Sequence, residues 1–496
     1  MTSNGQLPAL PMPSRRTAIK ALAVGAATTV LMESSASAAV TDKLYDQGGA
    51  FVNVRAYGAI GDGVADDTAA IRNAIAASVV GPAGRNAVYF PAGVYLVTGS
   101  IEIDYGLSLV GANPGSSTVK MSPTVLSDMF VGKPSGGFPV YLNFSNLCLD
   151  GGLTYAGGLK TTLPAASGTA KITGTYNSGT FYQPITLAPG GTVPVAFGDV
   201  LRMSGQPCMQ SVNGPDIQPT TANLALYTGW WAPATSLTGT NIVQVYKAGN
   251  LISGNIGRVS VDNCRLLNAK RNCIDFGAGG AEHRITRSTI GSSQGSGVFG
   301  RGFGDGNLSD CWMVETGGDN FYSQNGFDFV ISGSLLEGAG GANISADGGT
   351  VIVSDCDLWG GRHGNIWAQN IGVARLSGLK VRAPGTGSNP PATVVGSTSF
   401  PTVPGLSSID LSYFQSTPPA PTGGVLTSIF LADATEAGTS GVNYAIGSIV
   451  RIRNGSRTNL SNIDYAASGI VFSTASIVDA GTTTISRGCR GFTDRG

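Results

Sequence analysis

Apolar and polar positions repeat every 22 to 24 residues between about Arg258 and Arg382. A cysteine or serine marks the reference position, and apolar residues recur three places before it, two places after it and ten places after it. The reference positions are Cys264, Ser288, Cys311, Ser334 and Cys356. The apolar positions are Val261, Ile285, Leu308, Ile331 and Val353; Leu266, Ile290, Met313, Leu336 and Leu358; and Ile274, Val298, Phe321, Ile344 and Ile366. Four registers agree at once, which shows that the repeat is real.

The short period and its turn residues predict a solenoid of stacked strands. Strand-forming residues dominate each repeat, and Gly, Asn, Asp and Ser occupy the breaks between them. Leucine-rich repeats have a similar length, but their Leu-x-x-Leu-x-Leu pattern and helical segment are missing. The sequence therefore predicts an all-β parallel β-helix, in which each residue stacks on its counterpart in the next coil.

The N-terminus has the features of an export signal. Arg15 and Arg16 precede an apolar run over residues 21–32, which is too short to span a bilayer. Twin arginines before such a run are typical of a Tat signal, and the alternative is a chance pair in an ordinary signal. The sequence predicts cleavage after Ala38 and a periplasmic or secreted bacterial protein.

The segment after this signal carries a family motif. It reads FVNVRAYGAIGDGVADDTAAIRNAIAA over residues 51–77 and VYFPAGVYLV over residues 88–97. This opening resembles the pectate lyase-like superfamily, in its rhamnogalacturonase and epimerase-like, polygalacturonase-related branch. The resemblance implies a right-handed parallel β-helix and action on, or binding to, polysaccharide. It does not specify a reaction, because lyases, hydrolases, epimerases, phage tailspikes and inactive proteins share the fold.

The carboxylates of this opening have a structural explanation. Asp66 or Asp67 with Thr68 can cap a helix that covers the open end of the first coil. Asp62, Asp66 and Asp67 resemble catalytic acids, but turn and capping roles account for all three.

The pattern changes along the chain predict five parts. They are a Tat-type signal peptide (1–38), an N-terminal cap with the first coils (39–152), an insertion with short strands of its own (153–250), regular coils (251–382), and loops with C-terminal strands or a cap (383–496). In the insertion, Trp230 and Trp231 either line a sugar groove or pack in the insertion's own core.

The amino-acid composition limits the kinds of molecule that this protein is expected to bind. Thirty basic and thirty acidic residues cancel, which leaves no electrostatic footprint for nucleic acid or an anionic membrane. The 73 glycines and the 12% of charged residues disfavour helices and suit tight turns. The predicted partner is therefore a polysaccharide or oligosaccharide, with no nucleic acid and no membrane insertion.

Seven cysteines leave at least one unpaired within the chain. Cys264, Cys311 and Cys356 lie two coils apart, at about 9 to 10 Å, which is too far for a disulfide. They are predicted to be small buried apolar residues. The remaining cysteines can pair in combinations that the sequence does not decide; they are Cys148, Cys208, Cys273 and Cys489.

Two outward positions follow the apolar residue at plus ten and define a candidate sugar-binding stripe. Aromatic rings suit the C–H faces of sugars, and amides and charges suit their hydroxyls. The predicted substrate-binding residues are Phe299, Tyr322, Gln324, Trp367 and Gln369. The alternative is that these side chains pack beneath an overlying loop.

Hydrolysis of a glycosidic bond normally needs two carboxyl groups. The polygalacturonase pattern places its acids just before this strand, and Asp319 and His363 match it in part. Arg271 and Asn272, however, stand where that pattern has paired aspartates. The predicted lead acid or base is Asp319, with Asp275 or Asp347 as partner and with His363 and Arg301 assisting. Glu315 and Glu337 are further possible carboxylates.

Two rival functions stay open. A polysaccharide lyase needs a proton acceptor and a cation for the uronate carboxylate, which Arg271, Arg301 or Arg362 can supply. No acidic cluster typical of calcium is visible, so no metal or cofactor is predicted. A non-catalytic carbohydrate-binding or tailspike-like surface protein is the other rival, and it is compatible with a homotrimer.

Two further positions are predicted to be structural. Asn320, Asn343 and Asn365 form a stacked amide ladder at one turn. His283 falls at an inward position and reads as a core or coil-edge residue.

Overall fold

The computed structural model describes residues 51–80, 87–136, 139–156, 159–160, 164–176, 183–202, 208–212, 223–228, 237–277, 279–300, 303–324, 327–347, 350–359, 361, 364–369 and 373–382, with short strands after residue 407. The predicted signal peptide and Trp230 and Trp231 lie outside these residues. No helix within them is long and apolar enough to cross a membrane.

The coils form a right-handed parallel β-helix with three sheets, which confirms the predicted fold. The first sheet contains Val52–Asn53, Ala87–Phe90, Leu107–Gly111, Val140–Ser145, Ile256–Asp262, Gly279–Thr286, Phe303–Ser309, Phe327–Ser332, Thr350–Ser354, Val373–Arg382, Ser408–Phe414, Val450–Ile452 and Val471–Phe472. The second contains Asp62–Asp66, Gly93–Val97, Ser117–Met121, Cys148–Asp150, Arg265–Leu267, Thr289–Gly291, Trp312–Val314, Leu335–Glu337 and Asp357–Trp359, and it joins the first through Val373–Arg382. The third contains Ile101–Ile103, Phe130–Gly132, Ile252–Gly254, Ile274–Asp275, Val298–Gly300, Phe321–Gln324, Ala342–Asp347, Gly364–Gln369 and Ile429–Leu431.

The strand register reproduces the sequence repeat. Ile285 pairs with Val261 in one neighbouring coil and with Leu308 in the other. These inward side chains are buried and belong to one continuous core that runs through the coils. Burying each such side chain contributes about 1.5 to 3 kcal/mol, so stacking equivalent apolar positions stabilises the solenoid.

The alternation of cysteine and serine has a hydrogen-bonding explanation. The N–H of Cys264 donates to Oγ of Ser288 (3.0 Å), and the N–H of Cys311 donates to Oγ of Ser334 (3.0 Å). Serine thus accepts a bond across the coils, while cysteine fills the core and donates weakly to a nearby carbonyl. Burial raises the pKa of the thiols of Cys264 and Cys311 to about 12, so both are neutral and unreactive.

We expect these thiols to be silent toward Ellman's reagent in the native protein. A variant with Cys264, Cys311 and Cys356 changed to serine should release the same amount of chromophore as the wild type when folded. In denaturant it should release three equivalents fewer. Serine already occupies equivalent positions in the intervening coils, so the variant should fold. A lower value for the folded variant would show that these thiols are accessible.

The predicted amide ladder is confirmed. Nδ2 of Asn320 donates to Oδ1 of Asn343 (2.6 Å), and Nδ2 of Asn343 donates to Oδ1 of Asn365 (2.6 Å). All three residues are fully buried. The same amides also donate to the carbonyl oxygens of Glu337 and Trp359, and so tie the turn to the second sheet.

The N-terminal helix spans Thr68–Val80 and follows a 3-10 turn over Val54–Tyr57. Its apolar residues Ile71 and Ile75 are buried in the core at the end of the solenoid. Asp66 accepts a hydrogen bond from the N–H of Thr68 (3.0 Å), and Asp62 accepts from the turn that follows it. The structural roles predicted for these carboxylates are therefore confirmed.

Six antiparallel strands between the early and the regular coils close into a small barrel. They are Gly168–Tyr176, Gln183–Ala188, Val200–Arg202, Cys208–Val212, Asn223–Thr228 and Leu237–Tyr246. The barrel has a core of its own, which includes Ile172, Leu201 and Val243. A separate strand pair, Tyr155–Ala156 with Leu159–Lys160, precedes it. Across the barrel, Leu149 pairs directly with Leu266, so the β-helix continues on both sides of it.

The remaining strand pairs lie near the C-terminus. Asn443–Tyr444 pairs with Ile463–Asp464, and Arg457–Thr458 pairs with Ser476–Ile477.

Candidate functional site

A second polar ladder lies at the turn that leads into the third sheet, two residues before the inward apolar position. Oδ1 of Asp128 accepts from the N–H of Asn250 (2.8 Å), and Oδ1 of Asn250 accepts from the N–H of Asn272 (3.0 Å). Oδ1 of Asp319 accepts in the same way from the N–H of Ala342 (2.6 Å). A short side chain with an acceptor oxygen therefore satisfies the backbone of the next coil at this position.

Asp319 is one member of this ladder and is fully buried. Its Oδ2 accepts no hydrogen bond of good geometry. The nearby hydroxyl of Ser345 favours the ionised carboxylate and so acts to lower the pKa of Asp319. Burial nevertheless raises the pKa of Asp319 to about 7. The carboxyl has the acidity of a general acid but no exposed surface, so its catalytic role stays a prediction.

Two rings of the predicted aromatic stripe, Phe299 and Tyr322, are covered rather than exposed. Phe299 and Tyr322 stack with ring centroids 5.0 Å apart, and Phe197 of the insertion lies 5.1 Å from the first ring and 5.2 Å from the second. Both stripe residues are buried. The prediction that they are exposed is wrong, and the alternative of an overlying loop is confirmed. Packing three rings together removes more apolar area from water than an open stripe would.

Ion pairs hold this covering loop, residues 197–199, against the coils. Nε of Arg271 donates to the carbonyl oxygen of Gly198 (2.9 Å), and its Nη2 lies 3.6 Å from Oδ1 of Asp199. Lys247 also pairs with Asp199, at 2.7 Å. On its other side, Nη1 of Arg271 lies 3.7 Å from Oδ2 of Asp275. Arg271 therefore connects the insertion to the third-sheet strand Ile274–Asp275.

An open cleft of about 500 Å³ lies beside this network, at the third-sheet strands on either side of the insertion. Two carboxylates and one arginine line it, together with amide, hydroxyl and aromatic groups. The lining residues are Asp128, Val131, Pro139, Asn250, Ser253, Gly254, Asn255, Ile256, Arg271, Asp275, Phe276, Gly277 and Gly280. We call this the third-sheet cleft.

Hydrogen bonds position both carboxylates of the third-sheet cleft. Asp128 accepts from the N–H groups of Gly249 and Asn250, from the amide of Asn250 and from the hydroxyl of Ser253. Asp275 accepts from the N–H of Gly277 (2.9 Å) in addition to its ion pair with Arg271. The cleft thus presents fixed acceptors on two coils, with the coil of Ile252–Gly254 between them.

The other predicted site residues are not brought into this cleft by any described contact. Asp347, Gln324 and Gln369 occupy paired positions of the third sheet, and Trp367 is paired with Ser345. The side chains of these four residues lie outside the described part of the chain, as do His363, Arg301 and Arg362 entirely. Within the described ranges, no group of three or more His, Cys, Asp or Glu side chains can hold a metal ion.

The sequence contained a signal for Asp128 and Asn250 that the prediction missed. Both stand two places before an inward apolar residue, as Asn272 and Asp319 do. An Asp or Asn followed by any residue and then an apolar residue therefore marks the start of a third-sheet strand. Asp128 lies before the insertion, and the repeat was defined only in the coils after the insertion, so the motif at Asp128 was not included.

His283 lies beneath the third-sheet cleft and is a core residue, as predicted. Its ring stacks on that of Phe276 with centroids 4.0 Å apart, and its Nδ1 accepts from the N–H of Val259 (3.0 Å). Burial lowers the pKa of His283 to about 4, so the imidazole is neutral at physiological pH.

The N-terminal part of the chain matches a known protein family. Residues 51–186 match the family described as rhamnogalacturonase A/epimerase, pectate lyase-like. The match covers about a quarter of the chain, and it fits the parallel β-helix that the described coils form.

Individual relatives match it over limited segments or at low identity. Mannuronan C5-epimerase AlgE1 of Azotobacter vinelandii is 46% identical over 76 residues, which is 14% of this chain and 5% of the epimerase. The catalytic unit of the GH87 alpha-1,3-glucanase from Streptomyces thermodiastaticus has a TM-score of 0.38 at 12% identity, covering 89% of this chain and 70% of that chain. Tailspike protein gp49 from Pseudomonas phage LKA1 has a TM-score of 0.34 at 13% identity, covering 88% and 79%. Function therefore has to be argued from the site.

Proposed function

We propose that this protein acts on a polysaccharide and that a segment of the sugar chain binds in the third-sheet cleft. The observation that carries the proposal is the set of fixed acceptors, Asp128 and Asp275, beside Ser253 and the ring of Phe276. Such a mixture suits hydroxyl donors and C–H faces of sugars. The family match, and a curated relative named as a mannuronan epimerase, support a polysaccharide partner.

Within this proposal the reaction is hydrolysis of a glycosidic bond. Asp275 is the acid or base, because it lines the cleft at the start of a third-sheet strand, where Arg271 and the N–H of Gly277 orient its carboxylate. Asp128 is the second carboxylate, held by its four hydrogen bonds. Glycoside hydrolysis normally uses two carboxyl groups, and these two lie on coils that are separated by the coil of Ile252–Gly254.

The ion pairs and hydrogen bonds that Arg271 makes within the protein favour hydrolysis over elimination. Its guanidinium faces two carboxylates, and it donates to the carbonyl oxygens of Gly198 and Lys247. A lyase needs a cation that is available to the carboxylate of a uronate substrate. Arg271 is the only basic residue among the described lining of the cleft, and it is already committed.

Replacing the carboxylate of Asp275 with an amide tests this reaction. Asp275→Asn retains the acceptor for Gly277 but cannot exchange a proton, so turnover should fall by about 100-fold or more while polysaccharide binding is retained. Reducing ends released from a panel of neutral and acidic polysaccharides measure turnover, and unsaturated uronate products would reveal elimination instead. Asp104→Asn, an exposed carboxylate outside the cleft lining, is the matched control. Equal loss in both variants, or undiminished turnover in Asp275→Asn, would remove Asp275 from the mechanism.

A second candidate function is carbohydrate binding without turnover, as in a tailspike-like surface protein that could form a homotrimer. The burial of Asp319, Phe299 and Tyr322 favours it, because the predicted acid and stacking rings cannot contact a sugar chain as they stand. Binding to a member of the panel, with no product from the wild type, would select this function. Tat-dependent export, with cleavage after Ala38, belongs to both candidates and is tested by the N-terminal sequence of the exported protein.

A further inference from the structure

Two tryptophans lie on the outward face of the second sheet, away from the residues that line the third-sheet cleft. Leu336 and Leu358 point into the core, so by alternation their neighbours in each strand point outward. In register, Trp312 pairs with Leu335, which pairs with Asp357; Val314 pairs with Glu337, which pairs with Trp359. We call these six positions the tryptophan face.

The two indole groups are placed as a platform. Nε1 of Trp312 donates to Oε1 of Glu337 (3.0 Å) in the next coil, so this indole extends along the sheet toward the row that holds Trp359. Trp359 is 39% exposed. Two coils separate the tryptophans by about 10 Å along the solenoid axis, close to the length of two sugar rings.

Two carboxylates lie beside these rings. Glu337 pairs directly with Trp359, and Asp357 lies in the same row as Trp312. Carboxylates accept hydrogen bonds from sugar hydroxyls. They repel a polyanion, so the face favours a sugar chain without acidic groups.

We propose that the tryptophan face binds an extended neutral polysaccharide, as a second site separate from the third-sheet cleft. The flat parallel sheet suits a ribbon-like chain, whose C–H faces stack on Trp312 and Trp359 while Glu337 and Asp357 accept from its hydroxyls. This surface does not depend on the reaction in the cleft, so it would anchor the protein to its polysaccharide whether or not the protein is an enzyme.

Affinity electrophoresis in native gels containing a soluble mixed-linkage β-glucan tests the proposal, with alginate and chitosan as charged comparators. Trp312→Ala and Trp359→Ala should each weaken β-glucan binding about fivefold to tenfold, and the double variant should abolish the retardation. Trp359 is exposed, so Trp359→Ala should unfold at the wild-type urea concentration. Trp312 is half-buried, so urea unfolding of Trp312→Ala is measured beside its binding.

Two controls separate this surface from other effects. Tyr141→Ala removes an aromatic side chain that is 53% exposed on the first sheet, and it should bind as the wild type does. Asp104→Asn removes an exposed carboxylate outside both the tryptophan face and the third-sheet cleft, and it should also retain β-glucan retardation. Unchanged retardation in the double tryptophan variant, no retardation of the wild type, or a preference for alginate or chitosan would each overturn the proposal.

Discussion

Replacing Asp319 with asparagine should stabilise the protein, and this stabilisation should become larger as the pH rises. The pKa of Asp319 is about 7 in the folded chain and about 4 in an unfolded one. Between these values the folded state holds a proton that the unfolded state has lost, so wild-type stability falls as pH rises from 4 to 7. The full effect is about 4 kcal/mol, and Asn removes it while retaining the acceptor for Ala342.

The measurement is the difference in urea unfolding free energy between Asp319→Asn and wild type at several values between pH 5 and pH 8. The comparison is needed because His283, with its pKa lowered to about 4, acts in the opposite direction. The unfolded state gains the proton that folded His283 excludes, so stability from this group rises between about pH 4 and 6.5. The two slopes partly cancel in the wild type.

Asp328→Asn is the control for this experiment. Asp328 is an exposed carboxylate on the first sheet that also accepts from a backbone N–H in the next coil, that of Thr350. Its replacement should change the unfolding free energy by less than about 0.5 kcal/mol. Parallel curves for wild type and Asp319→Asn would mean that Asp319 is ionised in the folded protein.

Replacing Asn343 with leucine should destabilise the protein by roughly 4 kcal/mol. The substitution removes the middle of the amide ladder, so Oδ1 of Asn365 and the carbonyl oxygen of Trp359 each lose a buried donor. Asn320 loses one of its two acceptors. Each buried polar group left unsatisfied costs about 1 to 3 kcal/mol.

Urea unfolding of Asn343→Leu beside Asn307→Leu measures this effect. Asn307 is exposed on the first sheet, so its replacement should change the unfolding free energy by less than about 0.5 kcal/mol. Similar losses in both variants would show that the ladder contributes nothing special to the stability of the solenoid.

Much of the solenoid follows from residues that are close in sequence. Val261, Ile285 and Leu308 occupy equivalent positions, and each must find the same inward environment, so their spacing predicts the strand register directly. The ladder of Asn320, Asn343 and Asn365 is predictable for the same reason. Burying a row of amides is favourable only when successive coils place them within hydrogen-bond distance.

The candidate site was less predictable, because its geometry depends on contacts between distant segments. Phe299 and Tyr322 point outward from their strands, as the repeat predicts, but Phe197 covers them. Arg271 stands where the family pattern has an aspartate. The structure explains the arginine by its ion pair with Asp199, which lies 72 positions earlier in the chain. No periodicity relates these residues, so their pairing could not be deduced from spacing.

By itself, the sequence determined the parallel β-helix, its inward positions and the ladders that repeat with it, because each coil meets only its neighbours and the same local chemistry recurs at each step. The tertiary structure alone decided which outward positions stay exposed. An outward side chain is exposed or covered according to what a distant segment does. Here the insertion buries Phe299 and Tyr322 of the predicted stripe and leaves the cleft beside Asp128 and Asp275 open.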